Sequence, residues 1–201
     1  MPKIVDAEVQ RRAIASAAIS VINAAGLDGA RLRDVARAAH VTTGAVTHYF
    51  DDKDAVLEAA LAEIVRRIHA RQARAIAGPL HVDAFIAEAC GHLPTDDASR
   101  AEWRVWLAFW GRAVADDRLR AQHRAYYATI VLRLTDRLQR IARPSPPTRR
   151  AAGRCADALI AAIDGVGTRA TLEPEAWPAK RQRAVLTQLI TPLLTAFAAA
   201  P

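Results

Sequence analysis

Residues 42–50 read TTGAVTHYF, and DDKD follows at 51–54. The front of this stretch, Thr42-Thr43-Gly44-Ala45, carries very little side chain, whereas its back ends on the aromatics Tyr49 and Phe50. Such a gradient suits a short helix whose leading end approaches another backbone and whose trailing end is held in a core. Val46 and Phe50 stand four residues apart, on one helix face, and are expected to point inward. Thr42 is placed to cap the helix, and Asp51 or Asp52 to cap the one after it.

The residues upstream give this helix its frame. Leu32, Val35, Ala36 and Ala39 show the i, i+3, i+4, i+7 spacing of a short amphipathic helix, with Ala36 small where a neighbour would cross closely. His40-Val41-Thr42 makes a tight connection to the next helix. Before it, Ile14, Ala18, Val21 and Ala25 form a stripe on a longer first helix, which Gly26-Leu27-Asp28-Gly29 breaks. Downstream, Leu57, Leu61, Ile64 and Ile68 face inward from a fourth helix over 53–76. Two short helices joined by a turn of three or four residues and packed on a longer one constitute a helix-turn-helix unit.

In that unit the second helix lies in the major groove of DNA. The slim front then has a purpose: Thr43, Gly44 and Ala45 leave room for the groove wall, and a threonine or alanine methyl can meet a thymine methyl. Thr47, His48 and Tyr49 follow close to the phosphates, where contacts position the protein without reading bases, and the capping Thr42 joins them in the DNA-binding set. Lys53 sits in the first turn of the fourth helix, where its ammonium and the free N–H groups can share a phosphate.

Composition permits this reading without carrying it. The 201 residues are 52% hydrophobic, enough for a sizeable core. The net charge is +7, yet residues 1–53 hold seven Lys/Arg against six Asp/Glu. Most of the excess lies later, in RRIHARQAR (66–74) and RLRAQHR (118–124), so charge alone is a weak pointer to DNA. Cys90 and Cys155 lack metal-type spacing, and a disulfide framework or zinc site is not expected. No membrane span or signal-peptide core is evident, which suggests a cytoplasmic protein. The motifs of nucleophilic hydrolases, zinc proteases, P-loops and dinucleotide folds are missing; Gly165-Val166-Gly167 lacks a third glycine and sits in a helical pattern. Neither a catalytic residue nor a cofactor is expected. A helical enzyme and a DNA-binding dimer without an effector are the alternative readings.

Residues 11–61 resemble the N-terminal domain of TetR-family transcriptional regulators. The resemblance rests on RDVA (33–36), VTTG (41–44), the pair closing on Phe50, and DKDAVL (52–57). It adds Arg33 to the DNA-binding set. Thr47 departs from the common family pattern, which has tyrosine there, and TGAVTHYFDDKDAVLEAAL is instead similar to the subgroup of choline-responsive BetI-like repressors. Arg31 also departs, standing where many relatives have a serine or threonine cap. WLAFW (106–110) extends the resemblance weakly to about residue 135.

The resemblance implies an all-α fold. A three-helix helix-turn-helix DNA-binding domain over 1–52 precedes a helical ligand-binding and dimerisation domain over 53–201, with about nine helices in all. Gly78-Pro79, Leu93-Pro94-Thr95, Pro144-Ser145-Pro146-Pro147 and Glu173-Pro174 are expected to separate the later helices, with Ser145 a possible cap. Pro192 is expected to kink or end the last one.

Trp103, Trp106 and Trp110 share one face of one helix, with Glu102 and Phe109 beside them and Tyr126 and Tyr127 on the next helix. Aromatic faces attract cations, so these seven residues form the candidate ligand set, for a quaternary ammonium or another organic cation; bulky core packing is the competing use. His92 and His123 could join them. The last two helices carry Leu159, Ile160, Ile163 and Val166, then Val185, Leu186, Leu189, Ile190, Leu193, Leu194 and Phe197. That surplus of apolar surface suits a homodimer through a four-helix interface. The expected function is a repressor that binds a pseudo-palindromic double-stranded operator as a dimer and is released by a small molecule, with the fourth helix as the lever.

Overall fold

The computed structural model describes residues 7–74, 81–141 and 148–199, without the side chains of residues 69 and 71–74. Among the described residues there are nine helices: α1 (Ala7–Gly29), α2 (Leu32–Ala38), α3 (Thr43–Tyr49), α4 (Lys53–Arg74), α5 (Val82–Cys90), α6 (Asp97–Ala115), α7 (Asp117–Leu138), α8 (Arg149–Leu172) and α9 (Ala179–Ala199). The all-α expectation holds. No helix among the described residues is long and apolar enough to cross a membrane. The predicted breaks at Gly78-Pro79 and Pro144–Pro147 lie outside the described residues.

Helix ends follow side-chain chemistry. Gly26 adopts φ +68°, a left-handed conformation that costs other residues energy, and interrupts α1 at the predicted place. A Cβ there would meet nothing within 4 Å, so the backbone conformation, not space, calls for glycine. Asp96 and Ser99 form a capping box at the start of α6, and Asp116 caps α7. Thr148 accepts a bond from the Ala151 N–H and caps α8, so the cap falls three residues past the predicted Ser145. Pro192 does not end α9, which runs on to Ala199.

The helices fall into two compact units. The first comprises residues up to Arg71 together with Ala101–Ala115. Its core contains Ile14, Ala18 and Ile22 of α1, Val35 and Ala36 of α2, Val46 of α3, Phe50, and Leu57, Leu61 and Ile64 of α4. The α1 stripe differs from expectation: Ala25 is exposed and Val21 half-buried, because the bulkier Ile19 and Ile22 take the inward positions. Arg67 donates to Ser16 Oγ at 2.7 Å and to Glu63 at 2.9 Å, tying α4 to α1. Within the same unit α6 is tethered twice: Arg104 donates to Asn23 Oδ1 at 2.7 Å, and Arg112 reaches both Asp54 oxygens at 2.9 and 2.7 Å.

The second unit comprises Gln72–Arg100 and the chain from Asp116 onward. Phe85, Leu93, Leu138, Leu159, Val166, Leu186, Ile190, Leu194 and Phe197 belong to one hydrophobic cluster. Helix α8 packs against α7 and α9, and α5 against α9. Arg137 of α7 forms a two-pronged ion pair with Glu88 of α5. Gln182 fastens the turn before α9 by donating to the Pro94 and Trp177 carbonyls at 3.2 and 2.8 Å.

Candidate nucleic-acid interface and ligand residues

The turn between α2 and α3 is built by hydrogen bonds that end α2. The Val41 N–H donates to the Ala36 carbonyl at 2.9 Å and the His40 N–H to the Arg37 carbonyl at 3.2 Å. This is a Schellman arrangement, whose pivot adopts the left-handed conformation. The pivot is His40, at φ +56°, in a place where glycine would fit without strain. Arg31 occupies the N-cap of α2 and makes no side-chain cap bond, so the departure noted in the sequence leaves that end without a side-chain cap.

Helix α3 presents the predicted contrast between its faces. Val46 and Phe50 are buried, whereas Thr42, Thr43, Gly44, Thr47 and His48 are exposed and Ala45 and Tyr49 half-buried. Thr42 Oγ1 accepts a bond from the Ala45 N–H at 3.1 Å, the cap read from sequence. Thr47 Oγ1 donates to the Gly44 carbonyl at 3.1 Å, which commits its proton to the helix and leaves its lone pairs outward. His48 and Tyr49 meet edge to face at 5.1 Å. Asp52, not Asp51, caps α4, accepting from the Ala55 N–H at 2.7 Å.

Two basic residues brace this surface. Lys53 Nζ donates to the Asp28 carbonyl at 2.9 Å, so its ammonium already has a structural task beside any phosphate contact. Arg11, which sequence reasoning missed, donates to the Tyr49 carbonyl at 3.3 Å and lies 4.8 Å from the Phe50 ring centroid. A cation at a helix C-terminus and over an aromatic face is doubly favoured. Its only sequence signal was the basic pair Arg11-Arg12, and spacing could not reveal a contact 38 residues away. Arg33 is exposed on α2.

The tryptophan row is a contiguous aromatic cluster in the first unit. Trp103 meets Trp110 edge-on at 6.5 Å; Trp106 lies 6.3 Å from Trp110 and 6.4 Å from Phe109. Trp103 and Trp106 retain 6% and 8% of their surface, Phe109 none, and Glu102 is buried too. Trp110 is half-buried. Tyr126 and Tyr127 belong to the second unit. Gln122 donates to the Tyr126 hydroxyl at 3.0 Å, and the Tyr127 hydroxyl donates to Asp164 Oδ2 at 2.7 Å. His123 stacks on Tyr127 at 4.3 Å.

Burial pushes the Asp164 carboxyl up to about 6, against the opposing pull of the Tyr127 bond. Burial and the Asp164 charge also raise the Tyr127 phenol, so it stays protonated, and burial followed by Arg124 lowers His123. Asp164 was missed in sequence; its signal was one acid within the otherwise apolar run LIAAIDGVG (159–167). Among the described residues no group of three or more His, Cys, Asp or Glu could hold a metal.

Residues 14–60 match the tetR family of bacterial regulatory proteins, and residues 82–195 match the C-terminal domain of BetI-type transcriptional repressors. The HTH-type transcriptional regulator BetI of Paraburkholderia phymatum is 32% identical over 205 residues, covering 99% of this chain and 100% of its own. A transcriptional regulator from Rhodococcus superposes with a TM-score of 0.80 at 30% identity, over 95% of this chain and 99% of its own. A transcriptional regulator from Saccharomonospora viridis, solved in complex with choline, has a TM-score of 0.74 at 22% identity, over 92% and 97%.

Proposed function

The chain belongs to the tetR family of bacterial regulatory proteins, with a BetI-type repressor C-terminal domain, and from that premise we propose that it binds a pseudo-palindromic operator as a homodimer and is released by a small molecule. It is a transcriptional regulator of that family and not an enzyme. Residues 1–52 serve as the reading head and 53–201 as the ligand-binding and dimerisation domain, acting in the cytoplasm. One observation carries the reading: the exposed, nearly side-chain-free start of α3 stands over a buried Val46–Phe50 anchor. Thr43, Gly44 and Ala45 then face base edges in the major groove, while Arg33, Thr42, Thr47, His48, Tyr49 and Lys53 set the register on phosphates.

Exposed apolar groups on the last two helices support the dimer. Leu172 and Leu189 keep 69% and 53% of their surface, and a Cβ added to Gly165 would meet nothing within 4 Å. A second copy laid on this face would bury the leucines and let the helices approach closely at Gly165. Two sets of residues are candidates for the small molecule, each within its own unit: Glu102, Trp103, Trp106, Phe109 and Trp110 in the first, and Tyr126 and Tyr127 in the second. The choline held by the Saccharomonospora regulator supports a quaternary ammonium or related cation. Release requires that the ligand favour the form whose two heads no longer fit successive grooves, with a coupling of about 1–3 kcal/mol.

The test is selection of duplexes from a randomised pool followed by fluorescence anisotropy. The reading expects enriched sites with two half-sites about 34–36 Å apart along the duplex, and lower affinity when ligand is added. Enrichment of no symmetric site would defeat the dimeric-operator reading.

A further inference from the structure

The surface around α3 extends beyond that helix. Arg11 of α1 is exposed, and one turn further on Ile14 is fully buried in the core of the first unit, so the arginine stands on a rigid base. Its Nη1 donates to the Tyr49 carbonyl at 3.3 Å, and its guanidinium centre lies 4.8 Å from the ring centroid of the buried Phe50. Helix α1 thereby grips the trailing end of α3 across 38 residues of chain. The carbonyl takes one of the five N–H donors in the guanidinium fork. The next residue is treated differently: Arg12 donates to Glu8 at 3.1 Å, which offsets its charge. Arg37 likewise has Asp34, and Arg112 has Asp54. Among the described residues no carboxylate pairs with Arg11.

A positive fork therefore stands at the edge of the surface expected to meet a polyanion. Phosphates of both strands flank a helix that lies in the major groove. Tyr49, whose backbone Arg11 holds, is among the residues set on those phosphates above. We propose that Arg11 is a positioning residue for DNA recognition: it ties the end of α3 to α1 and gives its remaining donors to a phosphate of the same duplex. The proposal rests on the operator reading above and extends it to a second helix. A guanidinium suits the double task because its planar face stacks on a ring while its fork meets a phosphate; an ammonium offers a point charge without that face. The phosphate contact is independent of sequence, whereas the grip on Tyr49 fixes the angle at which Thr43, Gly44 and Ala45 meet the bases.

The test is anisotropy titration of the full-length protein at several salt concentrations, with the duplex it selects and with a random-sequence duplex. Wild type, Arg11→Gln, Arg11→Lys and Arg12→Gln are compared. Glutamine keeps a donor for the Tyr49 carbonyl but no charge. Arg11→Gln is expected to lower the slope of log affinity against log salt by about 0.9 for each head bound, on both duplexes. Arg11→Lys keeps the charge; its slope should match wild type while the selected duplex binds several-fold more weakly, because the planar grip is lost. Arg12→Gln should behave as wild type. A brace with no phosphate contact would change urea stability and leave the slope untouched, so equal slopes for wild type and Arg11→Gln would overturn the contact. An equal drop in Arg12→Gln would overturn it too, by marking a general effect of charge. Wild-type affinity in Arg11→Lys would overturn the positioning role. A wild type that binds neither duplex sinks the operator reading together with this contact, whereas one that binds with an unchanged Arg11→Gln slope refutes the contact alone.

Discussion

Asp164→Asn should make the protein more stable at neutral pH, and by an amount that vanishes in acid. The folded chain holds the Asp164 proton more tightly than the unfolded chain does, since burial pushes its pKa from 3.8 to about 6. The associated stability is complete below about pH 4 and is lost as pH rises to about 6. At about 1.4 kcal/mol for each tenfold change in proton affinity, the ionised carboxylate destabilises the fold by about 3 kcal/mol at pH 7, an upper bound given its partial exposure. Asparagine has the shape of the neutral acid and keeps an acceptor for the Tyr127 hydroxyl. Urea unfolding followed by circular dichroism, at one protein concentration and at steps from pH 4 to 7.5, measures the difference. Wild type and variant should agree near pH 4 and separate by about 1–3 kcal/mol above pH 6, the variant being the more stable. Glu63 and Asp96, whose carboxyls are held below their ordinary range, contribute equally to both proteins and cancel in the difference. A pH-independent difference, or a variant less stable at pH 7, would refute the argument that this charge is uncompensated.

Three further outcomes follow from the geometry. His40→Gly removes a side chain from a left-handed pivot and should raise stability in urea melts by up to about 1 kcal/mol, provided the turn is kept. Phe50→Ala opens a hole beneath α3 and should cost about 3–5 kcal/mol in the same melts. Leu189→Glu puts a charge on the exposed face of α9; it should shift the protein toward monomer in sedimentation velocity while leaving the helical circular dichroism spectrum unchanged.

Much of the fold was legible because the relevant signals are local. The α2 spacing, the Thr42 cap, the break at Gly26 and the Val46–Phe50 pair all depend on residues within seven positions of one another. What escaped depends on distant partners. Arg11 meets the end of α3 across 38 residues, and Arg112 meets Asp54 across 58. Asp164 was overlooked because a single acid in an apolar helix face resembles a surface position until α7 is laid against it. Thr148 supplanted Ser145 as a cap because both residues fit the role and only the start of α8 decides. The tryptophan row was visible as a stripe, but its edge-to-face packing arises from rotamers that spacing does not specify.

The account turns on the amino end of α3 meeting base edges. Anisotropy titrations with the selected duplex and with single-base variants of its half-sites, for wild type, Thr43→Ala and Lys53→Ala, test that most directly. The account predicts that Thr43→Ala alters which base variants are tolerated, whereas Lys53→Ala weakens all duplexes alike and lowers the salt dependence. Identical base preferences in all three proteins would contradict it.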